Sequence, residues 1–224
     1  MNDIIFIGDI HGKFNSISNF IDRINIKNTQ FIQVGDFGLG FNVHDIDNLT
    51  ILNKKLEESK NFLYIIRGNH DCPKYWKPLN ILKKLNNIYF VPDYTYMKIN
   101  ELQYLFVGGG ISIDRSKRII NTSYWKNEEI ILDDSKLNQK IDILVTHVPL
   151  RSVFLEFTGN IDYWFQNDKQ LKKDLDKEEE ILSKIFQKTK PKYWISGHFH
   201  ISQKIIFENC EHITLSIEEF KKIF

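Results

Sequence analysis

Two histidines with one residue between them follow an apolar run near the end of the chain, in the segment YWISGHFH at residues 193–200. Similar polar clusters follow four other apolar runs, and their residue types bind metal ions or transfer protons. The clusters are Asp9 with His11, then Asp36, then Asn69 with His70 and Asp71, then His147, and finally His198 with His200. One histidine after a strand carries little information, but five such clusters indicate a shared site.

The candidate ligands are two carboxylates, one amide oxygen and four imidazoles, with no thiolate among them. Nitrogen and oxygen donors of this kind suit manganese, iron, zinc and similar ions. Seven donors are too many for one ion and too few to enclose two. Two ions that share one bridging carboxylate would keep positions open for water and substrate. Such ions lie roughly 3.5–4 Å apart and stabilise the attacking and leaving oxygens of a phosphoryl displacement.

The elements that must position these clusters are short apolar runs that alternate with helical patterns. Strands are predicted at 4–8, 31–35, 62–66, 104–108, 141–146 and 192–197, and helices at 14–24, 46–59 and 178–188. This alternation predicts an α/β fold with strands buried on both faces. The C-terminal segment 202–217 is typical of a strand hairpin, which indicates a mixed sheet or two packed sheets. Ligands of such sheets bind beyond the carboxyl ends of the strands, so distant clusters can converge there.

Spacing within the clusters predicts how their side chains point. Residues i and i+2 of an extended backbone face the same side, so each Asp-x-His or His-x-His pair is expected to face one site. A glycine precedes several of the clusters, where it allows tight turns and close backbone approach. These glycines are Gly8, Gly35, Gly68 and Gly197.

Length and composition predict a single domain over residues 1–224. The chain is 42% hydrophobic and 26% charged, as in ordinary globular proteins, and its net charge of +1 gives no general attraction to nucleic acid or to an anionic membrane. The only cysteines, Cys72 and Cys210, form neither a metal motif nor a disulfide framework, which fits a cytoplasmic location. The N-terminal segment lacks the basic region of a signal peptide, and no apolar run is long enough to span a membrane.

The ordered motifs together resemble those of the calcineurin-like metallophosphoesterase superfamily, in its small bacterial and phage-like branch. The motifs are GDIHG at 8–12, GD at 35–36, GNHD at 68–71, THVP at 146–149 and GHFH at 197–200. Each motif alone is weak, but all five in order over residues 8–200 are highly specific. The resemblance implies a four-layer α/β/β/α sandwich of two mixed sheets, with two metal ions at the strand ends.

The resemblance also implies a role for each motif residue. The ligands would be Asp9, His11 and His200 for one ion, Asn69, His147 and His198 for the other, and Asp36 for both. His70 would face the substrate and stabilise charge or act as general acid. Asp71 would orient the loop or the His70 ring, or serve chiefly the structure. Mn²⁺ is the expected ion, with Fe, Zn, Ni or Mg as alternatives.

One motif departs from the Ser/Thr protein phosphatases of the superfamily, which carry GDxVDRG where this chain has GDFGLG. Leu39 replaces an aspartate, and Gly40 replaces an arginine that would clamp phosphate with two hydrogen bonds. This disfavours a protein phosphatase. Arg115 and Arg118, in the glycine-rich loop 108–118, are candidates to replace the missing cation in substrate binding. The alternative is a solvated basic loop, followed by a helix that starts at Asn127.

Residues 148–175 show no clear period but carry five aromatic residues, which are Phe154, Phe157, Tyr163, Trp164 and Phe165. The segment is predicted to be a lid or rim near the site, and the alternative is an elaborated loop that packs on the core. The charged run 172–180 is expected to be the solvated face of a helix.

The sequence predicts a phosphoesterase that hydrolyses a phosphomonoester or a phosphodiester through direct attack of a metal-bound hydroxide. The expected substrates are phosphorylated small molecules, nucleotides or phosphoproteins. A nuclease is disfavoured because the chain is nearly neutral and has little spare length. A non-catalytic scaffold of the same fold is disfavoured because every ligand position and His70 are present.

Overall fold

The computed structural model describes residues 3–77, 84–153 and 161–223, so Phe154 and Phe157 of the predicted lid lie outside the described residues. The described strands are β1 Ile4–Ile7, β2 Gln30–Gln33, β3 Phe62–Ile65, β4 Ile88–Phe90, β5 Thr95–Ile99, β6 Leu102–Val107, β7 Ile143–Thr146, β8 Tyr193–Ser196, β9 Gln203–Phe207, β10 Cys210–Thr214 and β11 Phe220–Lys222. The described α-helices are α1 Asn15–Ile24, α2 Asp45–Ser59, α3 Ile161–Asn167 and α4 Leu171–Thr189. Among them, no helix combines the length and the apolar run that crossing a membrane requires.

The strands form two sheets, and both are mixed. The first has the order β11-β1-β2-β3-β4, in which β1 to β4 run parallel and β11 is antiparallel. The second has the order β5-β6-β7-β8-β10-β9, with four parallel central strands and an antiparallel strand at each edge. The predicted C-terminal hairpin is the antiparallel pair of β9 and β10.

Alternate residues along each central strand enter different cores, because successive side chains of a strand point to opposite faces. In β1, Ile5 and Ile7 pack with the buried faces of α1 and α2, whereas Ile4 and Phe6 pack against residues of the second sheet. In the second sheet, Leu105 of β6 belongs to the core that α4 covers. The layers are therefore helix, sheet, sheet and helix, which confirms the predicted α/β/β/α sandwich.

The predicted elements match the observed ones at their centres and differ at their ends. The last helix was predicted too short at 178–188, since α4 begins at Leu171 and buries Leu171, Leu175 and Glu178. The charged residues of 172–180 lie on an exposed helix face as predicted, except for Glu178, which is buried together with Leu175. A helix starting at Asn127 is also wrong, because Asn127 lies in a turn.

Candidate metal centre

The predicted clusters converge at one edge of the sandwich, where the carboxyl ends of the parallel strands of both sheets meet. The first sheet supplies the residues after β1, β2 and β3, and the second sheet supplies those after β7 and β8. These residues are Asp9, His11, Asp36, Asn69, His147, His198 and His200. Two groups of donor atoms form there, and Asp36 belongs to both.

The first group consists of Asp9, His11, Asp36 and His200, whose donor atoms all lie within 4.8 Å of one another. The Nε2 atoms of His11 and His200 are 3.1 Å apart, and the Nε2 atom of His200 is 3.2 Å from Oδ2 of Asp9. The side chain of Asp9 is fully buried, whereas His200 is partly open to solvent. This group therefore forms the outer end of the centre.

The second group surrounds Nε2 of the fully buried His147. Oδ1 of Asp36 and Oδ1 of Asn69 each lie 3.1 Å from that atom, and Nδ1 of His198 lies 3.2 Å from it. The Nδ1–H of His147 donates to the carbonyl of Val34 at 3.0 Å, which leaves the Nε2 lone pair facing the other three donors.

Both groups fit a divalent metal ion. Two donors that bind one ion at about 2.1 Å and at right angles are about 3 Å apart. The separations around His147 and between His11 and His200 have this value. The four donors of the second group therefore suit one ion, and the four of the first group lie within 4.8 Å of one another, with Asp36 common to both groups.

The electrostatics of the second group also favour positive charge beside Asp36. Burial acts to raise the pKa of Asp36, but the neighbouring His147 ring holds it well below its ordinary value. Burial acts in the opposite direction on His147, and the Asp36 carboxylate raises its pKa to about 9. Positive charge next to Asp36 is thus strongly favoured, and a metal ion would supply it in place of the proton.

The backbone conformation that brings these side chains together differs from the extended backbone that the sequence predicted. His11, Asp36, His198 and His200 have φ values of 44°, 54°, 68° and 56°, which is the left-handed region that non-glycine residues seldom adopt. The i, i+2 argument for extended backbone is therefore wrong at His11, His198 and His200, although the Asp9–His11 and His198–His200 pairs do face one site. Strain of this kind concentrates at functional sites.

Two of the predicted glycines permit a close approach between loops. A Cβ atom on Gly197 would lie 2.2 Å from Oδ1 of Asp9, and one on Gly68 would lie 2.2 Å from Oδ1 of Asp36. The carboxylates that would bind metal therefore pack directly on the backbone of neighbouring loops, and only glycine leaves the room.

Asp71 lies in the centre of the loops and is fully buried. Its carboxylate accepts hydrogen bonds from the backbone N–H groups of Phe37, Gly38, Leu39 and Gly68, at 2.7–3.1 Å. These contacts tie the loop after β2 to the loop after β3. Of the three roles considered for Asp71, these contacts support the orientation of the loop and a structural role over the orientation of the His70 ring.

His70 lies at the mouth of the centre and contacts both Arg118 and the first group. Its Nε2 atom accepts a hydrogen bond from Nη2 of Arg118 at 2.7 Å, and its ring meets the His11 ring edge-on at 4.8 Å. Burial lowers the pKa of His70 to about 4, and the Arg118 charge acts in the same direction. His70 is therefore neutral in the ligand-free site at pH 7.

The two arginines predicted to bind substrate have different surroundings. Arg118 lines a cavity beside the second group and is held there by Asp114 at 2.6 Å. Arg115 donates to Asp168 and Asp174, each at 2.6 Å, and so joins the loop 108–118 to the start of α4. The structure thus places Arg118 next to the centre, and it places Arg115 in a double ion pair.

A cavity of about 310 Å³ adjoins the centre. Asn69, His70 and His198 line one end of it, and apolar side chains that include Trp164 and Val148 line the body. Trp164 belongs to α3, so the described part of segment 148–175 forms a wall of the cavity. Glu178 also lines it, and burial raises the pKa of that carboxyl to about 8.

The sequence argument missed two residues that support Asn69, namely Ser112 and Glu128. Ser112 accepts from the Asn69 amide, and Glu128 accepts from Ser112. Arg67 donates to the carbonyl of Glu128 at 2.6 Å. In the glycine-rich loop, only the arginines were candidates for a role in the site. Nothing in the sequence pattern pairs Ser112 with a glutamate sixteen positions later.

The two-sheet sandwich with two groups of candidate metal ligands at its strand ends is the arrangement that the motif resemblance implied. The family model described as calcineurin-like phosphoesterase matches residues 3–202, and the chain belongs to this family. This confirms the resemblance found in the motifs. No curated protein matches the chain in sequence.

Two solved structures resemble the chain over nearly its whole length. TT1561 of Thermus thermophilus is 9% identical, has a TM-score of 0.58, and aligns over 96% of this chain and 89% of its own. Phosphopantetheinyl hydrolase (PptH) from Mycobacterium tuberculosis is 11% identical, has a TM-score of 0.50, and aligns over 96% of this chain and 90% of its own. At these identities the likeness establishes the fold.

Proposed function

We propose that this protein is a two-metal phosphoesterase that hydrolyses small phosphomonoesters or phosphodiesters. The observation that carries the proposal is the pair of donor groups that share Asp36, with His70 and Arg118 at the same opening. Asp9, His11 and His200 would hold one ion, and Asn69, His147 and His198 the other. Mn²⁺ is the first candidate, since the donors suit several divalent metals.

When bound, the two ions would supply Lewis-acid activation of water and of the phosphoryl oxygens. The residues of the chain would do the rest. Arg118 would donate to a phosphoryl oxygen of the substrate, which would take the place of the His70 ring as its acceptor. Released from Arg118, the Nε2 atom of His70 would take up a proton from solvent beside the bound phosphate, and this N–H would face the leaving oxygen, either to stabilise its charge or to give it the proton as general acid. Asp71 would keep both loops in register.

The cavity supports a small substrate over a large polymer. Its volume of about 310 Å³ and its apolar walls suit the alcohol part of a phosphorylated small molecule or nucleotide. Protein phosphatase activity remains disfavoured, because Gly40 stands where the phosphate-clamping arginine would be. A cytoplasmic location and action away from membranes remain predictions from the sequence.

Metal reconstitution tests the proposal. Metal-stripped protein would be assayed with p-nitrophenyl phosphate and with bis-p-nitrophenyl phosphate, after addition of Mn²⁺, Ni²⁺, Zn²⁺ or Mg²⁺. We expect turnover with at least one ion and binding of two ions per chain. Turnover of the diester would define a phosphodiesterase, and turnover of the monoester alone would define a phosphatase. Binding of fewer than two ions would contradict the two-metal proposal.

A further inference from the structure

The amide of Asn69 could bind in either of two orientations, because its oxygen and nitrogen ends have nearly the same shape. The oxygen accepts hydrogen bonds, whereas the NH₂ group donates them. Only Oδ1 can donate a lone pair to a metal ion, and the nitrogen cannot. A rotation of the amide by half a turn would place its NH₂ group on the ion. The orientation of such an amide is set by its hydrogen-bond partners.

Ser112 and Glu128 form a relay behind this amide. Nδ2 of Asn69 donates to Oγ of Ser112 at 3.1 Å, and that hydroxyl donates to Oε2 of Glu128 at 2.8 Å. The backbone N–H of Ser112 donates to Oε1 of Glu128 at 2.7 Å. Both carboxylate oxygens are therefore used as acceptors, and both residues are buried, with 1% and 2% of their surface exposed.

The direction of each hydrogen bond follows from the one before it. A carboxylate can only accept, so the Ser112 hydroxyl must give its proton to Glu128. The hydroxyl oxygen then offers only lone pairs to Asn69, which must present its NH₂ group. That orientation turns Oδ1 toward Nε2 of His147, 3.1 Å away, where the donors of the second group meet.

The turn that carries Glu128 is itself fixed next to Asn69. Arg67 donates to the backbone carbonyls of Glu128 and Glu129 at 2.6 and 2.9 Å, and its other donors engage Asp93 at 2.8–3.0 Å. The carbonyl of Glu128 also accepts from the N–H of Gly110 at 3.0 Å. The carboxylate thus cannot drift away from Ser112.

We infer that Glu128, acting through Ser112, is a positioning residue that holds the Asn69 amide with its oxygen toward the second metal ion. The inference rests on the proposed function, since it assigns one donor of the proposed two-metal centre. Outer partners of metal ligands commonly change metal affinity by about 10–100-fold.

Glu128→Gln is the sharpest test, because it preserves shape and reverses polarity. The glutamine oxygen can still accept from the Ser112 backbone, while its NH₂ group would face the Ser112 hydroxyl. The serine could then donate to Asn69 and turn the amide nitrogen toward the ion. Glu129→Gln is the matched control, because the half-exposed Glu129 side chain pairs with the surface Lys177 at 3.6 Å and only its carbonyl joins this network. Ser112→Ala is a second disruption, and Ser112→Thr restores the hydroxyl.

The measurement is titration of Mn²⁺ into metal-free protein by isothermal calorimetry, at about pH 8, above the pKa of about 7 to which burial raises Glu128. We expect wild type and Glu129→Gln to bind two ions alike. Glu128→Gln and Ser112→Ala should weaken one of the two ions about 10–100-fold, and Ser112→Thr should recover most of that loss. Thermal melts of the metal-free proteins should show that Glu128→Gln stays folded.

Unchanged binding of both ions by Glu128→Gln and Ser112→Ala would overturn the inference and leave the proposed function intact. Equal weakening of both ions, together with a large fall in melting temperature, would also overturn it, because that result would mark a general structural role. Wild-type protein that binds no metal would defeat the proposed function, and the inference with it.

Discussion

Asp36 is the residue on which the two donor groups depend, and His70 is the residue that neither group uses. Oδ1 of Asp36 lies 3.1 Å from Nε2 of His147, and Oδ2 lies 3.9 Å from Nδ1 of His11. His70 touches the centre through its backbone N–H, which donates to Asp36 at 2.7 Å, while its ring faces Arg118. Substitutions at the two positions should therefore fail in different ways.

Asp36→Asn should lose metal together with activity, because the neutral amide offers one donor oxygen and no charge to a shared position. His70→Ala should keep both ions and lose about 10²–10⁴-fold in turnover, the usual contribution of a positioned proton donor. Metal content by elemental analysis and steady-state kinetics on the same samples would test this. Equal metal loss in both variants would remove the proposed role of His70.

Arg118 and Arg115 offer a second comparison between single residues. Arg118→Ala should raise KM about 10–100-fold, since it removes a charged hydrogen bond worth roughly 1.5–3 kcal/mol. Arg115→Ala should chiefly lower stability, on the order of 1 kcal/mol, because it leaves Asp168 and Asp174 without their partner. Kinetics and thermal melts would separate the two. A rise in KM of equal size for Arg115→Ala would restore the prediction that both arginines contact substrate.

The strands position the residues of the site through the tight turns that follow their carboxyl ends. Strand β8 ends at Ser196, and Gly197 then brings the backbone against Asp9, which follows β1 of the other sheet. The Asp9 carboxylate also accepts from the backbone N–H of His198 at 3.2 Å. The spacing between the two sheets at this point is thus set by a contact that no larger residue permits.

Gly197→Ala should therefore displace Asp9 and weaken metal binding at least about 10-fold, because a Cβ atom 2.2 Å from its Oδ1 must push the carboxylate away. Ser196→Ala is the neighbouring control. It removes a buried hydroxyl that has no hydrogen-bond partner among the described residues, so metal binding should be unchanged. Calorimetric titration of both variants would show the difference. Wild-type affinity in Gly197→Ala would mean that the turn can relax without cost to the site.

Across the whole molecule, the proposed centre joins the two halves of the sandwich. Asp9, Asp36 and Asn69 follow strands of the first sheet, and His147 and His198 follow strands of the second. Elsewhere the sheets meet through an apolar layer that includes Phe6, Tyr104 and Phe106. Ions held by both sheets would bind the folded state alone and would add stability through mass action.

Chelation should therefore lower the melting temperature. Two ions, each present at about 100 times its Kd, would add about 5 kcal/mol, or roughly 10–20 °C for a chain of this size. Thermal melts with excess Mn²⁺ and with EDTA would measure the shift. Asp36→Asn is the control and should show little dependence on metal. A wild-type melting temperature that is the same with Mn²⁺ and with EDTA would contradict a centre that spans both sheets.

The sequence by itself determined the α/β class and the set of candidate ligands, and the resemblance of its motifs to a known family supplied the four-layer architecture. Apolar runs alternating with helical patterns require buried parallel strands, and parallel strands bring their carboxyl ends to one edge. The motif at each strand end could therefore be assigned to a common site, and the family followed from the order of the motifs.

Only the tertiary structure decided how those residues are supported. The left-handed backbone at His11, Asp36, His198 and His200 is one example, because these residue types seldom adopt it and the sequence pattern gives no sign of it. The ion pairs of Arg115 with Asp168 and Asp174, the burial of Asp71 under four N–H donors, and the relay from Glu128 to Asn69 all join positions far apart in the chain. Such pairings depend on which loops pack together, and that is settled by the docking of the two sheets.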